Sequence, residues 1–376
     1  MVKLTPPMGW NSWNTFGADI NEALIRETAD VMAESGLLEK GYEYLVIDDC
    51  WSLKTRDENE RLVPDPEKFP NGMKAVADYV HSRGLKFGMY SCAGNLTCAG
   101  YPGSFEHEFI DAATFAEWGV DFLKYDYCYH SPIIHGQYLY RRMGLALENC
   151  GRDILFSACS WGSDQTHEWI KTSAASMWRS TGDIFDAWES VKDLTKQQEK
   201  LHPYNGVGCF NDMDMLIVGM YGKGNVGLSG CTDVQYKTHY SIWALLGSPL
   251  MIGCDIRSMN EETKKILCNE ELIAINQDRA CRQPVKLNGI WSGEDMVIYS
   301  RQLENGDIAI GLFNLSGEKA AARFNLDEIG LGYSTGKTLD MHEVWTGEDF
   351  RVDNSTVIRS LEPFACEVYR AKVVDL

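Results

Sequence analysis

Histidine is scarce in this chain, eight in 376 residues, and none falls in the segments that carry its clustered charges. A Ser-His-Asp triad therefore has little support. His130, His135 and His167 also lack usable metal-ligand spacing and read as ordinary loop or helix residues. Basic residues are in deficit: 35 Lys and Arg stand against 54 Asp and Glu, a formal charge of −19, which argues against nucleic acid or an anionic membrane as partner. No C-x-x-C pair occurs among twelve cysteines, so zinc ribbons and thioredoxin-like motifs are not expected, and most cysteines read as small buried hydrophobes. Long apolar runs are missing too. The longest conspicuous uncharged run, Tyr240 to Cys254, is too short to span a bilayer and contains Gly247 and Pro249. The opening residues hold no signal-peptide core, so a cytoplasmic location is expected, and the sequons at Asn95, Asn314 and Asn354 carry little weight there.

What the chain does have is a repeat. Short β-prone runs recur at 8–14, 42–51, 85–92, 121–128, 154–161, 177–184, 206–216 and 248–256, most of them followed by a helix-like segment. Between the early runs, "NEALIRETADVMAESG" and "NGMKAVADYVHSRG" show helical spacing and stop at Gly36 and Gly84. Parallel neighbours need crossover helices, so the alternation predicts an α/β fold, a (β/α)8 barrel over residues 1–280, with an open doubly wound sheet as the alternative. Beyond about Gln277 the pattern changes to period two around "ENGD", which predicts a small C-terminal antiparallel β-sandwich domain over 283–376. "GKGNVG" (222–227) matches a dinucleotide fingerprint, but the next helix begins near Thr232, and a barrel-mouth loop is the expected reading.

Charged and polar side chains gather where the runs end: Asp48 and Asp49, Tyr90, Lys124 and Asp126, Arg179 and Asp183, and Asp214. In a barrel these ends share one mouth, where active sites are built. The surplus is carboxylate, framed by Trp10, Trp13 and Trp51. Aromatic faces cover the C–H side of a pyranose, acids and bases bind its hydroxyls, and glycoside hydrolysis uses two carboxyl groups. No cofactor and no metal are expected. A catalytically inactive sugar-binding protein would use the same pocket.

The motifs "MGWNSWNTF", "YLVIDDCW", "LKFGMYSCAGNLTCAGYPGS", "LKYDYC", "WRSTGDI", "NDMDML" and "SPLMIGCDI" together resemble glycoside hydrolase family 27, the α-galactosidase and α-N-acetylgalactosaminidase family, over nearly the whole chain. The resemblance implies a retaining α-galactosidase with Asp126 as nucleophile and Asp183 as general acid/base. It implies that Asp48 and Asp49 bind O4 and O6 of galactose, Lys124 the O3/O4 edge, and Arg179 with Asp214 the groups around O2 and O3. Trp13 is then the aromatic wall, Tyr90 lies beside the nucleophile, and Cys98 pairs with Cys128. The implied partner is an α-galactoside oligosaccharide, with a homo-oligomer left open.

Three departures from the family pattern stand out. Tyr127 follows the nucleophile where Asn is frequent. Cys50 has no partner in the first βα loop, which fits a reducing compartment in which Cys98 and Cys128 are expected to be reduced. Ser160 stands where many α-galactosidases carry Glu, Asn or Gln near the sugar O2. With Ser163 it favours N-acetylgalactosamine, whereas the "WGSDQTHEW" loop favours galactose, with His167 or Trp169 filling the space. Galactose is the reading adopted here; β-L-arabinopyranose is disfavoured because Asp48 and Asp49 are both present.

Overall fold

The computed structural model describes residues 4–289 and 293–376; the first three residues of the expected barrel segment and residues 290–292 of the expected β segment lie outside the described residues. All eight sequence runs contain a strand: β1 Met8–Asn11, β2 Tyr44–Val46, β3 Lys86–Cys92, β4 Phe122–Asp126, β5 Leu155–Ala158, β6 Met177–Arg179, β7 Phe210–Asp212 and β8 Leu250–Ile252. They pair in parallel in the order β7-β6-β5-β4-β3-β2-β1-β8. Closure from β7 to β8 runs through a single parallel bridge, Leu216 to Ile252, with Leu216 N donating to Met251 O at 2.7 Å. The open-sheet alternative fails on this bridge.

Helix ends follow the sequence signals. The helix Glu22–Glu34 starts at Asn21, whose side chain accepts the Leu24 amide, and Gly36, at φ 92°, lies two residues beyond its end. Thr232 and Gln235 form a reciprocal capping box at the start of the helix Asp233–Leu246, so no helix begins inside "GKGNVG".

Alternate residues along the strands build the barrel interior. Tyr44, Val46, Phe122, Leu155, Met177, Phe210 and Met251 form one apolar cluster. Two residues further along the same faces come Asp48, Lys124, Ser157, Arg179 and Asp212. The inward stripe is thus oil at the bottom and charge at the top. Register holds the charged layer level: Tyr90 pairs with Lys124, Cys92 with Asp126, Lys124 with Ser157, and Arg179 with Asp212.

After residue 283 the chain is antiparallel. Strands β9 Val285–Lys286, β10 Met296–Gln302, β11 Ile308–Asn314, β12 Ala320–Asn325, β13 Lys337–Glu343, β14 Asp349–Arg351, β15 Thr356–Leu361 and β16 Cys366–Asp375 form a six-stranded sheet, β14-β13-β16-β11-β10-β9, and a β12-β15 pair. They enclose their own core around Ile310, Phe324, Leu339 and Tyr369. Against the barrel, Thr238 Oγ1 donates to Phe364 O at 2.6 Å, and Trp188 Nε1 donates to Leu315 O at 3.0 Å.

Gly9 marks the tightest strand contact at the barrel start. A Cβ there would stand 2.2 Å from Tyr44 O, a backbone atom of the neighbouring strand. Gly9→Ala is therefore expected to destabilise the fold by about 1–3 kcal/mol or more, as overpacking does. A lowered denaturant midpoint measures this, and an unchanged midpoint contradicts the packing.

Candidate active site

The C-terminal strand ends surround a cavity of ≈ 310 Å³. Trp13, Asp48, Asp49, Tyr90, Cys98, Lys124, Asp126, Arg179, Asp183 and Asp214 all line it. Ser160 does not. Its side chain is fully buried, and its Oγ lies 2.6 Å from Thr166 Oγ1, turned away from the cavity. Ser163 is exposed, and the expected fillers of that space also lie elsewhere: His167 packs on Tyr204, and Trp169 packs on Tyr140. Trp161 lines the cavity in their stead, in a left-handed backbone conformation at φ 55°.

Two of the three tryptophans expected to frame the site are core. Trp10 is fully buried and donates Nε1 to Cys254 O, and Trp51 donates to Tyr90 O while packing on Phe115 and Trp118. Only Trp13 of that set reaches the cavity. The glycine-rich segment 222–227 is a mouth loop, as expected: Asn225 and Val226 line the cavity, and their amides donate to Thr15 O and Asn14 O.

Asp126 sits at the end of β4, its carboxylate accepting from Tyr90 Oη at 3.1 Å and from the Tyr127 amide at 3.0 Å. Burial pushes its pKa up to about 6; Lys124 works against that rise, and Asp48 and Asp183 add to it. Lys124 donates to Asp48 at 2.8 Å, and Asp48 also accepts from Asn11 Nδ2 at 2.7 Å. Burial disfavours the ammonium, but Asp48, Asp126 and Asp214 outweigh it and raise the Lys124 pKa.

Arg179 bridges two carboxylates, with Nη1 3.0 Å from Asp214 and Nη2 2.9 Å from Asp183. Asp183 faces the mouth, its side chain 59% exposed, and burial is overcome by Arg179 and Lys124, which hold its pKa below the ordinary carboxylate value. Asp214 has φ 80°, fixed by its amide donating to Asp212 Oδ1 at 2.9 Å. The Asp212 carboxylate, buried under Arg179 and pushed up to about 6 mainly by that burial, is the neighbour that sequence reading passed over. Its place on the inward stripe of β7, two residues after Phe210, is the signal that could have found it.

Cys98 and Cys128, expected to be reduced, are joined in a disulfide; the loops after β3 and β4 bring their Cα atoms to 5.1 Å, inside the bonding range of about 4.4–6.8 Å. Both sulfurs lie within 4.8 Å of an Asp126 carboxylate oxygen, but a disulfide offers no thiolate to a metal. Cys50 is a free buried thiol, as expected.

A sequence profile described as alpha galactosidase A matches residues 5–278, and another described as alpha galactosidase C-terminal beta sandwich domain matches residues 293–371. The chain is 43% identical over 366 residues to an alpha-galactosidase of Cyamopsis tetragonoloba, covering 97% of this chain and 85% of the relative. It is 44% identical over 333 residues to alpha-galactosidase A of Cellvibrio japonicus, covering 85% and 78% respectively. The crystal structure of alpha-galactosidase I from Mortierella vinacea superposes with a TM-score of 0.91 at 32% identity, covering 98% of this chain and 97% of that one.

A buried carboxyl with a raised pKa weakens the fold as pH climbs. The Asp126 site binds its proton more tightly folded than unfolded, so its penalty is absent below about pH 4 and fully developed above about pH 6. Asp126→Asn is expected to gain up to about 2 kcal/mol of stability at pH 7.5 and little at pH 4. Denaturant unfolding at the two pH values measures this; equal or lower stability of the variant at pH 7.5 contradicts it.

Proposed function

The chain belongs to glycoside hydrolase family 27, with its barrel matching alpha galactosidase A, and on that premise we propose that it removes terminal α-linked galactose from oligosaccharides or glycoconjugates by double displacement. The observation that carries the reading is the placing of Asp126 and Asp183 on one cavity, the first on its closed floor and the second at its open mouth.

A pyranose seated on the floor presents C1 to Asp126, while the leaving oxygen points outward to Asp183. Asp126 attacks, a galactosyl ester forms, and Asp183 gives its proton to the departing oxygen; a water deprotonated by Asp183 then releases the sugar with its configuration retained. Asp48 and Asp49 accept from the hydroxyls at C4 and C6. Lys124, already fixed on Asp48, donates to the O3/O4 edge, and Arg179 with Asp214 meets O2 and O3. These bonds orient C1 and exclude water from the floor. Trp161, projecting into the cavity, favours galactose over its bulkier 2-acetamido analogue.

The protein groups alone set proton affinities that run opposite to this use: Asp126 is raised and Asp183 lowered. The working state, Asp126 ionised and Asp183 protonated, is then a minority form until the sugar engages Arg179 and frees Asp183 from it. The pH profile of kcat/KM accordingly reports macroscopic values of the pair. It should be bell-shaped, falling on the acid side as the pair takes up its second proton and on the alkaline side, near pH 6, as the pair loses its last one.

Activity on nitrophenyl α-galactoside, α-N-acetylgalactosaminide and β-L-arabinopyranoside tests the substrate assignment. The first is expected to give the highest kcat/KM, and equal rates or a preference for either of the others overturn the choice of galactose. Asp183→Ala should lose activity by about 10²–10⁴-fold on alkyl galactosides and far less on dinitrophenyl galactoside, whose leaving group needs no proton. Equal losses on both would remove Asp183 from the acid role.

A further inference from the structure

The segment that presents Trp161 is held in a disfavoured backbone conformation. Within five residues, Trp161, Gly162, Asp164 and Gln165 have φ of 55°, 78°, 53° and 52°, and only one of them is glycine. Left-handed conformations of ordinary residues persist only where the surroundings impose them. The imposing contacts converge on Asp164. Its Oδ2 accepts from Tyr127 Oη at 2.6 Å and from the Gly136 amide at 2.9 Å, and its main-chain oxygen accepts from Trp169 Nε1 at 2.8 Å.

Tyr127 is the fixed end of this arrangement. It follows Asp126 directly, its ring is buried and stacked on His130 at 3.8 Å, and it leans on Tyr140. Asp164 is exposed, so its position depends on the groups it reaches. The Tyr127 hydroxyl is the largest influence on the Asp164 carboxyl and, with the Gly136 amide, keeps it below its ordinary pKa despite partial burial. Ser160, on the strand side of the loop, is engaged with Thr166 and leaves the cavity wall to Trp161.

We propose that the Tyr127–Asp164 hydrogen bond is the specificity clamp of this site: it locks the 161–165 loop so that Trp161 narrows the cavity that Arg179 also lines and shuts out a sugar whose C2 substituent is larger than hydroxyl. The inference rests on the galactose orientation proposed above. Tyr127 and Asp164 touch no substrate in this scheme; both are positioning residues acting through Trp161. The loop and the reacting carboxylate are thereby anchored to adjacent residues of one strand end.

The test compares Tyr127→Phe, Asp164→Ala, Asp164→Asn and the double variant Tyr127→Phe/Asp164→Ala. Turnover is measured on nitrophenyl α-galactoside and nitrophenyl α-N-acetylgalactosaminide, and binding of free galactose and N-acetylgalactosamine by calorimetry. Tyr127→Phe and Asp164→Ala should each shift the preference toward the acetamido sugar about tenfold, the effect of losing one charge-assisted hydrogen bond, with kcat on the galactoside held within about threefold. Asp164→Asn keeps an acceptor for the tyrosine and should stay near the parent. The double variant should shift no further than either single one, because the two residues make one contact. An unchanged preference in both single variants, in turnover and in binding alike, overturns the clamp, as does a uniform loss on both sugars. If the parent protein turned over no galactoside, the proposed function would fall, and the calorimetric preference would still decide the clamp.

Discussion

Lys124 and Arg179 carry full charges on the floor of the mouth cavity, where they meet little water, and the acids around them make this tolerable. Arg179 is buried against Asp214 and also pairs with the exposed Asp183, and Lys124, half-buried, pairs with the buried Asp48. Removing one partner of such a buried pair typically costs about 3–5 kcal/mol, because the other charge is left without compensation. Asp48, Lys124, Arg179 and Asp212 in turn are spaced by the pleat, each two residues beyond an apolar residue on the inward stripe of its strand. Charge balance and strand register therefore constrain each other. A one-residue slip would turn Lys124 into the helix layer and strand Asp48 in an acidic floor.

The same constraint explains why the mouth is built from loops with their own buried anchors. Asp186 is buried and accepts from the Gly222 amide at 2.6 Å and from Tyr236 Oη at 2.9 Å, while its main-chain oxygen accepts from the Gly230 amide. That carboxylate holds the 222–230 loop over the cavity. Gly224 has no alternative there: at φ 85°, a Cβ would stand 2.7 Å from Thr15 Cα. A cavity for a small rigid sugar needs walls that do not move, and each wall is tied to a strand end or to a buried acid. Strain and unfavourable ionisation are concentrated at this mouth, where stability is traded for a site already arranged for binding.

Much of this was legible in the sequence because parallel strands of a closed barrel leave a strong trace. Each of the eight runs holds its strand, and Gly36 and Gly84 fall just past the helices they were read to stop. The charged residues at the strand ends were also legible, since a Lys or Asp inside an apolar run has few structural uses. Side-chain direction in loops was not. Trp10, Trp13 and Trp51 look alike in the sequence, yet only Trp13 faces the cavity, because pleat and loop turn the other two into the helix layer. Trp161 takes the place expected of Ser160 for a related reason: a left-handed residue after β5 swings the indole inward and leaves the serine buried, and no local pattern in "CSWGSD" announces that turn. Asp212 went unnoticed because Asp214, two residues on, fits the family motif, while its own importance lies in a hydrogen bond to that neighbour's backbone.

The central claim is that the carboxylate on the barrel floor, Asp126, is the group that becomes covalently attached to the sugar. A slow-turnover fluorinated α-galactosyl fluoride, followed by peptide mass spectrometry of the inactivated protein, tests this most directly. One galactosyl-derived mass on the peptide carrying Asp126, absent from Asp126→Asn, is the expected result; a label on Asp183 or on any other residue would contradict it.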